Sequence, residues 1–376
     1  MKRLIKYTTV LLLMLCCCNP VSKKPDNIKV ITVDIDNFDD VSIFDIFEKV
    51  EVVPLETDES CLIRNINKFI YYNNIFYIFD FQERKILAFD HNGKFKFEID
   101  DRGQGPQEYL YLADFDINKE KNTLSLLDAM KAEINEYSLD GNFLNKHKIP
   151  QLVNSAYKSI KHITDDTIAF WTYDYSNRLK FYSKEKNKIF KECFPTDDSF
   201  FDNFSGEAFA YDYYIRINID NNVYEILPEG DVTVAYTWDL GKLNYDHNKI
   251  KKPNYSNDPE EFEKFKEKLY ASEVANYIFT SLGGNSRYIY SNVLRKNKNI
   301  KILHNKVTNK TVAFKETTEG ADFWPKYWTD SLVIGFFIDS PHRFVPDNVL
   351  DEENIRIRNQ FREDDNPVLV KYYLKK

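Results

Sequence analysis

Apolar and polar positions alternate along most of the chain with a period of two, in short runs broken by polar or glycine-containing turns. The run Ile75-Phe76-Tyr77-Ile78-Phe79-Asp80 gives way to Phe81-Gln82-Glu83-Arg84, then to Lys85-Ile86-Leu87-Ala88-Phe89-Asp90, then to His91-Asn92-Gly93 and a further run over residues 94–99. That pattern predicts three strands joined by two tight turns, because period-two alternation places every second side chain on one face of a sheet. Asn73-Asn74 and Asn92-Gly93 are hairpin signals, since both residue types tolerate the positive φ of short hairpin loops.

The unit repeats. Residues 123–128, a four-residue turn, residues 133–139, Asp140-Gly141 and residues 142–149 lay down the same order of strands and turns. With the last turn as marker, Gly93, Gly141, Asn187 and Gly230 follow one another at intervals of about 40 to 50 residues, the length of a four-stranded propeller blade. The next marker, Asn309, comes after a longer gap that holds Asn257-Asp258-Pro259-Glu260-Glu261, with cap residues, an early proline and acidic residues suited to a helix N-terminus. Phe262, Phe265 and Leu269 then recur at helical spacing, so a helical insertion is expected near 257–276. A sixth unit starts near Trp324 and ends on Val368-Leu369-Val370-Lys371-Tyr372-Tyr373-Leu374. The expected fold is all-β, a six-bladed β-propeller over residues 28–376. A propeller must close its ring or leave an open edge, so residues 28–35 and 50–55 are both expected to join the blade containing residues 368–374. A β-sandwich is the competing all-β architecture, and the near-constant repeat argues against it.

The first residues follow other rules. Lys2, Arg3 and Lys6 precede an apolar run over residues 10–15 and three cysteines, Cys16, Cys17 and Cys18. This is the form of an export signal, and the apolar run is too short to span a bilayer. Lipoprotein processing wants an aliphatic residue three places before the lipidated cysteine and a small one just before it. Leu15 and Cys17 supply these for Cys18, and Cys17 with Met14 is the alternative. An ordinary signal peptide with incidental cysteines is the plainer reading. The expected organisation is a signal peptide over 1–17, a polar tether with Pro20 and Pro25 over 18–27, and acyl chains holding the protein to a membrane, each buried methylene adding about 0.8 kcal/mol.

Beyond that segment only Cys61 and Cys193 remain, too few for a disulfide framework or a zinc site, and their pairing stays open. Hydrophobic residues make up 43% and aromatics 15%, so a hydrophobic core carries the stability. The net charge of −8, with both signs interspersed, excludes a nucleic-acid footprint.

Val50-Glu51-Val52-Val53-Pro54-Leu55-Glu56-Thr57, Arg102-Gly103-Gln104-Gly105-Pro106-Gln107-Glu108-Tyr109 and Asn366-Pro367-Val368-Leu369-Val370 together resemble the six-bladed β-propeller lipoproteins of Bacteroidetes type, which are similar to NHL-repeat propellers. The resemblance covers nearly the whole chain after the leader and is strongest over residues 50–149. It implies a cell-envelope location and a binding or accessory role, often near carbohydrate uptake, and brings no catalytic residues. In such lipoproteins an acidic cluster after the lipidated cysteine accompanies export to the outer face. Here Asn19-Pro20-Val21-Ser22-Lys23-Lys24 stands in that place, so an outer-membrane anchor is expected with its face undecided.

The candidate chemistry is sparse. Residues 102–109 have two glycines beside an arginine but lack the strand-loop-helix context of a phosphate loop, and read as a blade-to-blade connection with glycine-permitted torsions. The histidines at 91, 147, 162, 247, 304 and 342 form no zinc-binding spacing. Asp80, Asp114, Asp128, Asp220, Asn292 and Asp330 lie near strand ends, where they either cap turns or converge on the channel to hold calcium for a hydrolase or lactonase. Phe323-Trp324-Pro325-Lys326-Tyr327-Trp328 concentrates aromatic surface, and Trp324, Tyr327 and Trp328 are the candidate ligand contacts against the alternative of interblade packing. No motif marks a nucleophile. The leading expectation is a membrane-anchored, non-catalytic propeller that binds or scaffolds a glycan, peptide or envelope protein without a cofactor. The alternatives are the calcium-dependent enzyme and a structural subunit of an envelope complex.

Overall fold

A computed structural model describes residues 28–174, 176–194, 209–216, 221–244, 259–275 and 282–376. The proposed signal peptide, Cys17, Cys18, the tether, Asp220, His247 and the first residues of the predicted helical insertion lie outside them.

Six small sheets arise because each run of alternating side chains pairs with the next through a tight turn. Blade 1 consists of Ile66–Tyr72, Ile75–Asp80, Lys85–Asp90 and Phe95–Ile99, paired antiparallel in that order. Blade 2 repeats the plan with Leu112–Asn118, Thr123–Asp128, Glu133–Ser138 and Phe143–Lys148, and blade 3 with Tyr157–His162, Thr167–Thr172, Leu179–Ser183 and Lys188–Cys193. Blade 4 runs from Phe209–Tyr211 to Val232–Asp239, and blade 5 from Leu282–Gly284 to Lys310–Phe314. The first strands of blades 2 and 3 lie side by side, as do those of blades 4 and 5, of blade 5 and blade 6, where the strand is Pro325–Trp328, and of blades 6 and 1. The six-bladed β-propeller expected from the repeat is therefore the fold.

The turn chemistry explains the regularity. Asn73 and Asn74 have φ of 48° and 61°, as a two-residue hairpin turn requires, and the markers Gly93, Gly141, Asn187, Gly230 and Asn309 all sit at positive φ. At Gly93 the turn also meets the closing strand, because an added Cβ would collide with the Pro54 carbonyl.

Ring closure uses only part of the expected N-terminal segment. Phe47–Pro54 forms the outermost strand of blade 6, pairing with Val368–Leu374, which pairs in turn with Leu332–Phe337. Lys29–Thr32, within the segment expected to join that blade, instead runs parallel to Val232–Asp239 as a fifth strand of blade 4. Packing decides this: Ile31, Val33 and Ile35 are buried with Val223, Tyr236, Trp238 and Ile300, between blades 4 and 5. The chain then crosses blade 5, where the Asp39 N–H donates to the Ala313 carbonyl and an Asp39 carboxylate oxygen accepts from the Ala313 N–H. One segment thus covers the outer edges of two blades and builds the edge of a third, which removes pairing surfaces an open sheet would expose.

Between the second and third strands of blade 6 the chain inserts the short helix Glu352–Arg358. Its buried Asn354 accepts from the Val52 N–H at 2.7 Å and so caps the outermost strand. Asn366 completes the seam: its amide donates to the Glu56 and Cys61 carbonyls and accepts from the Ile63 N–H. The helical insertion appears as Pro259–Tyr270, with Glu260 and Glu261 in its first turn and Phe265 and Leu269 buried. Its end rests on blade 5, where the Asn297 N–H donates to the Tyr270 carbonyl. Cys61 and Cys193 are both buried free thiols.

Candidate functional site

Each blade turns back after its second strand, and in blades 1 and 2 these turns are twins. One Asp80 oxygen accepts from the Gln82 and Glu83 N–H groups and the other from the Arg64 N–H. Asp128 does the same with Met130, Lys131 and Leu110. Short acidic side chains at a strand end favour this because they bond the backbone two and three residues on. Both turns close on a left-handed residue, Arg84 at φ 55° and Ala132 at φ 50°.

The two turns project side chains over a groove of about 540 Å³, whose third wall is the start of the innermost strand of blade 3 together with Tyr173. That volume lies within the range of small-ligand and peptide-side-chain sites. Phe81, Tyr111, Tyr173 and Met130 keep large exposed surfaces there, with Met130 65% accessible. The Arg84 guanidinium carbon lies 3.6 Å from the Phe81 ring centre and 4.0 Å from that of Tyr111, and it donates to the Leu112 carbonyl and the Tyr111 hydroxyl. Lys158 sits 5.7 Å above the Tyr173 ring. On the floor both Asp114 oxygens lie 3.1 Å from the Lys68 ammonium, and one also accepts from the Ile160 N–H. Burial raises the Asp114 pKa and the Lys68 charge counters it without overcoming it.

Residues 102–109 support this groove from below. They form the expected connection between blades 1 and 2, but by a different device from the one predicted. Gly103 and Gly105 are absent from the positive-φ glycines, and what they supply is room: a Cβ on Gly103 would fall inside the Glu108 carboxylate, which accepts from the Gly105 N–H at 2.6 Å. Lys131 ties the loop to the second turn through the Gly103 and Glu108 carbonyls. Buried Tyr109 then donates its hydroxyl to the Arg84 carbonyl at 2.6 Å, fixing the first turn.

Behind the groove the channel is narrow, about 80 Å³, and is lined by Asp116, Lys161, Asp212 and Tyr327 among others. Burial acts to raise the Asp116 pKa, but the charges of Lys161 and Lys68 and the backbone N–H of His162 outweigh it and lower the value. Among the candidate oxygen ligands, Asp80 and Asp128 are spent on turns, Asp114 on Lys68 and Asp330 on the Ser286 N–H, while the Asn292 amide donates to the Asn299 side-chain oxygen. Among the described residues no group of three or more His, Cys, Asp or Glu side chains is placed to hold a metal ion.

The three aromatic candidates of blade 6 are not gathered on one exposed face. Trp328 is buried and stacks on Tyr290 at 5.8 Å, Tyr327 packs on Phe69 at the channel wall, and Trp324 is half-buried with Lys326 5.5 Å from its ring. The groove residues went unselected because they sit in turns that read as ordinary punctuation. A signal was present, since Phe81, Arg84 and Met130 are long side chains in loops where small polar residues suffice.

A family model described as a domain of unknown function (DUF4934) matches residues 26–373. A Bacteroides fragilis chain described as a "Putative exported protein" superposes with a TM-score of 0.69 at 17% identity, over 93% of this chain and all of the other. A member of the DUF4221 family from Bacteroides vulgatus superposes with a TM-score of 0.52 at 12% identity, over 90% of this chain and 99% of the other. No functionally curated protein matches the sequence. Among the described residues no helix is long and apolar enough to cross a membrane.

Proposed function

The chain belongs to the DUF4934 family, and from that premise we propose that it is an exported, lipid-anchored envelope protein whose propeller is a non-catalytic binding module. Its ligand docks in the groove over blades 1 to 3. The observation that carries the reading is the groove itself: about 540 Å³ of concave space with four partly exposed large apolar side chains, its first turn braced by the buried Tyr109. Contiguous apolar surface rimmed by charge marks interaction sites on soluble domains, because leaving it in water costs free energy that a partner recovers.

The address rests on the basic and apolar leader that ends in Cys16-Cys17-Cys18, with Cys18 as the acylated residue and Cys17 as the alternative, and we place the anchor in the outer membrane. The exported description of the Bacteroides fragilis fold neighbour is consistent with that address.

The binding reading is tested by thermal unfolding of the domain starting at Asn19 against panels of peptides and oligosaccharides, each with and without calcium. A ligand at about a hundred times its dissociation constant adds about 2.7 kcal/mol, a rise of several degrees. The rise should vanish in Met130→Asp. A rise retained in that variant, or one produced by calcium alone, would refute the groove reading.

A further inference from the structure

We propose that the groove takes an acidic peptide segment, with a carboxylate held by Arg84 beside an apolar side chain lodged on the Met130 and Tyr173 surface. This deepens the groove reading above and rests on it.

Arg84 has φ 55°, a region where glycine or asparagine is the cheap choice. The turn itself has no need of arginine, since blade 2 makes the same shape with Ala132 at φ 50°. A long charged side chain at a strained turn position points to a use for that side chain. The surroundings hold it ready: Tyr109 bonds its carbonyl from below, and the Phe81 and Tyr111 rings sandwich its guanidinium. Among the described residues no carboxylate lies within ion-pair distance of Arg84, and the two hydrogen bonds it makes leave part of its five-donor fork for a ligand.

Among the described residues lining the groove, the one carboxylate, Asp114, is matched by Lys68, whereas the Arg84 guanidinium has no acidic partner. A positive groove on a chain of net charge −8 selects acidic partners against the protein's own surface.

The lining suits a peptide better than a sugar. The Phe81 and Tyr111 faces that enclose Arg84 are covered by it and are closed to a pyranose ring. Among the described lining residues the neutral polar side chains other than tyrosine are Asn67 and Ser159. Exposed Met130 suits apolar side chains of varied shape, as unbranched thioethers do at adaptable peptide surfaces.

The test uses the soluble domain and an array of fluorescent hexapeptides that place glutamate or aspartate beside leucine, phenylalanine or methionine. The same array with glutamine or asparagine, and an oligogalacturonate, run alongside. Binding is read by fluorescence anisotropy and displacement. Acidic peptides should bind, their amide counterparts at least about tenfold more weakly. Arg84→Asn, which fits the left-handed turn, should erase that preference while its thermal midpoint stays near wild type. Equal binding of acidic and amide peptides, or wild-type selectivity in Arg84→Asn, would overturn the proposal. Peptide binding untouched by Met130→Asp would overturn the groove reading as well. Binding of oligogalacturonate alone, lost in Arg84→Asn, would overturn the peptide and keep the groove; no binding by any probe overturns the proposal.

Discussion

His162 makes the fold sensitive to mild acid in a window that can be calculated. Its side chain is buried at the end of the innermost strand of blade 3, with Nε2 2.9 Å from the Ser125 hydroxyl and Nδ1 without a hydrogen-bond partner. Burial pushes its pKa down to about 4; Asp116 and Glu136 favour its charged form, whereas Lys184 and Lys161 oppose it. A histidine whose folded pKa is depressed binds its proton first in the unfolded chain, so stability falls as pH drops from the unfolded value of 6.5 towards 4. Between about pH 8 and about pH 5 linkage gives a loss of about 2 kcal/mol from this one residue, near 3 °C of midpoint for a domain of this size. His162→Gln keeps a polar group beside Ser125 and cannot titrate. Urea unfolding followed by tryptophan fluorescence at the two pH values should show the wild type losing about 2 kcal/mol more than the variant, each compared with itself. Glu136 does not confuse the comparison. Burial raises its pKa, but the nearby His147 ring and the hydrogen-bonded Lys184 ammonium pull it down to about 2, so its contribution is intact above 4.5 and is lost below that. Parallel loss in the two proteins would refute the reasoning.

Two further outcomes follow from the same structure. Lys68→Met strands the Asp114 carboxylate in the interior and should cost about 3 to 5 kcal/mol in urea unfolding; adding Asp114→Asn should recover a large part, and a double variant no better than the single would contradict the pairing. Cys18→Ser should release the full-length protein from the membrane fraction of expressing cells and abolish labelling by an alkyne palmitate analogue, whereas retained labelling would move the anchor to Cys17.

The architecture was legible because propeller blades are local. Apart from the two N-terminal strands, each strand pairs with its sequence neighbour, the alternation names the buried face, and the marker turns announce themselves with asparagine or glycine at positive φ. The ring seam was half legible. Residues 28–35 and 50–55 both look like strands able to close a blade, and only the packing of Ile31, Val33 and Ile35 between blades 4 and 5 sends the first of them elsewhere. Pairing over long sequence separation is settled by such packing rather than by propensity, which is near equal for the two segments. Residues 50–57 and 366–370, far apart in sequence and both part of the family resemblance, meet where Asn366 stitches the loop after residue 55. What they share is the closure of the ring.

The site was less legible for a related reason. A blade's core repeats, so its logic can be read from one unit and checked on the next, whereas a face site is made by the positions where neighbouring units differ. The twin turns of blades 1 and 2 share their aspartate, length and left-handed last residue, and differ in placing Arg84 where Ala132 stands. The shared features are architecture and the difference is chemistry. By the same comparison Trp328, conspicuous by composition, belongs to the architecture: it fills an interblade gap against Tyr290, and a Cβ on Gly283 would strike its indole. The conspicuous aromatic is a wall, and the arginine in an unremarked turn borders the open groove.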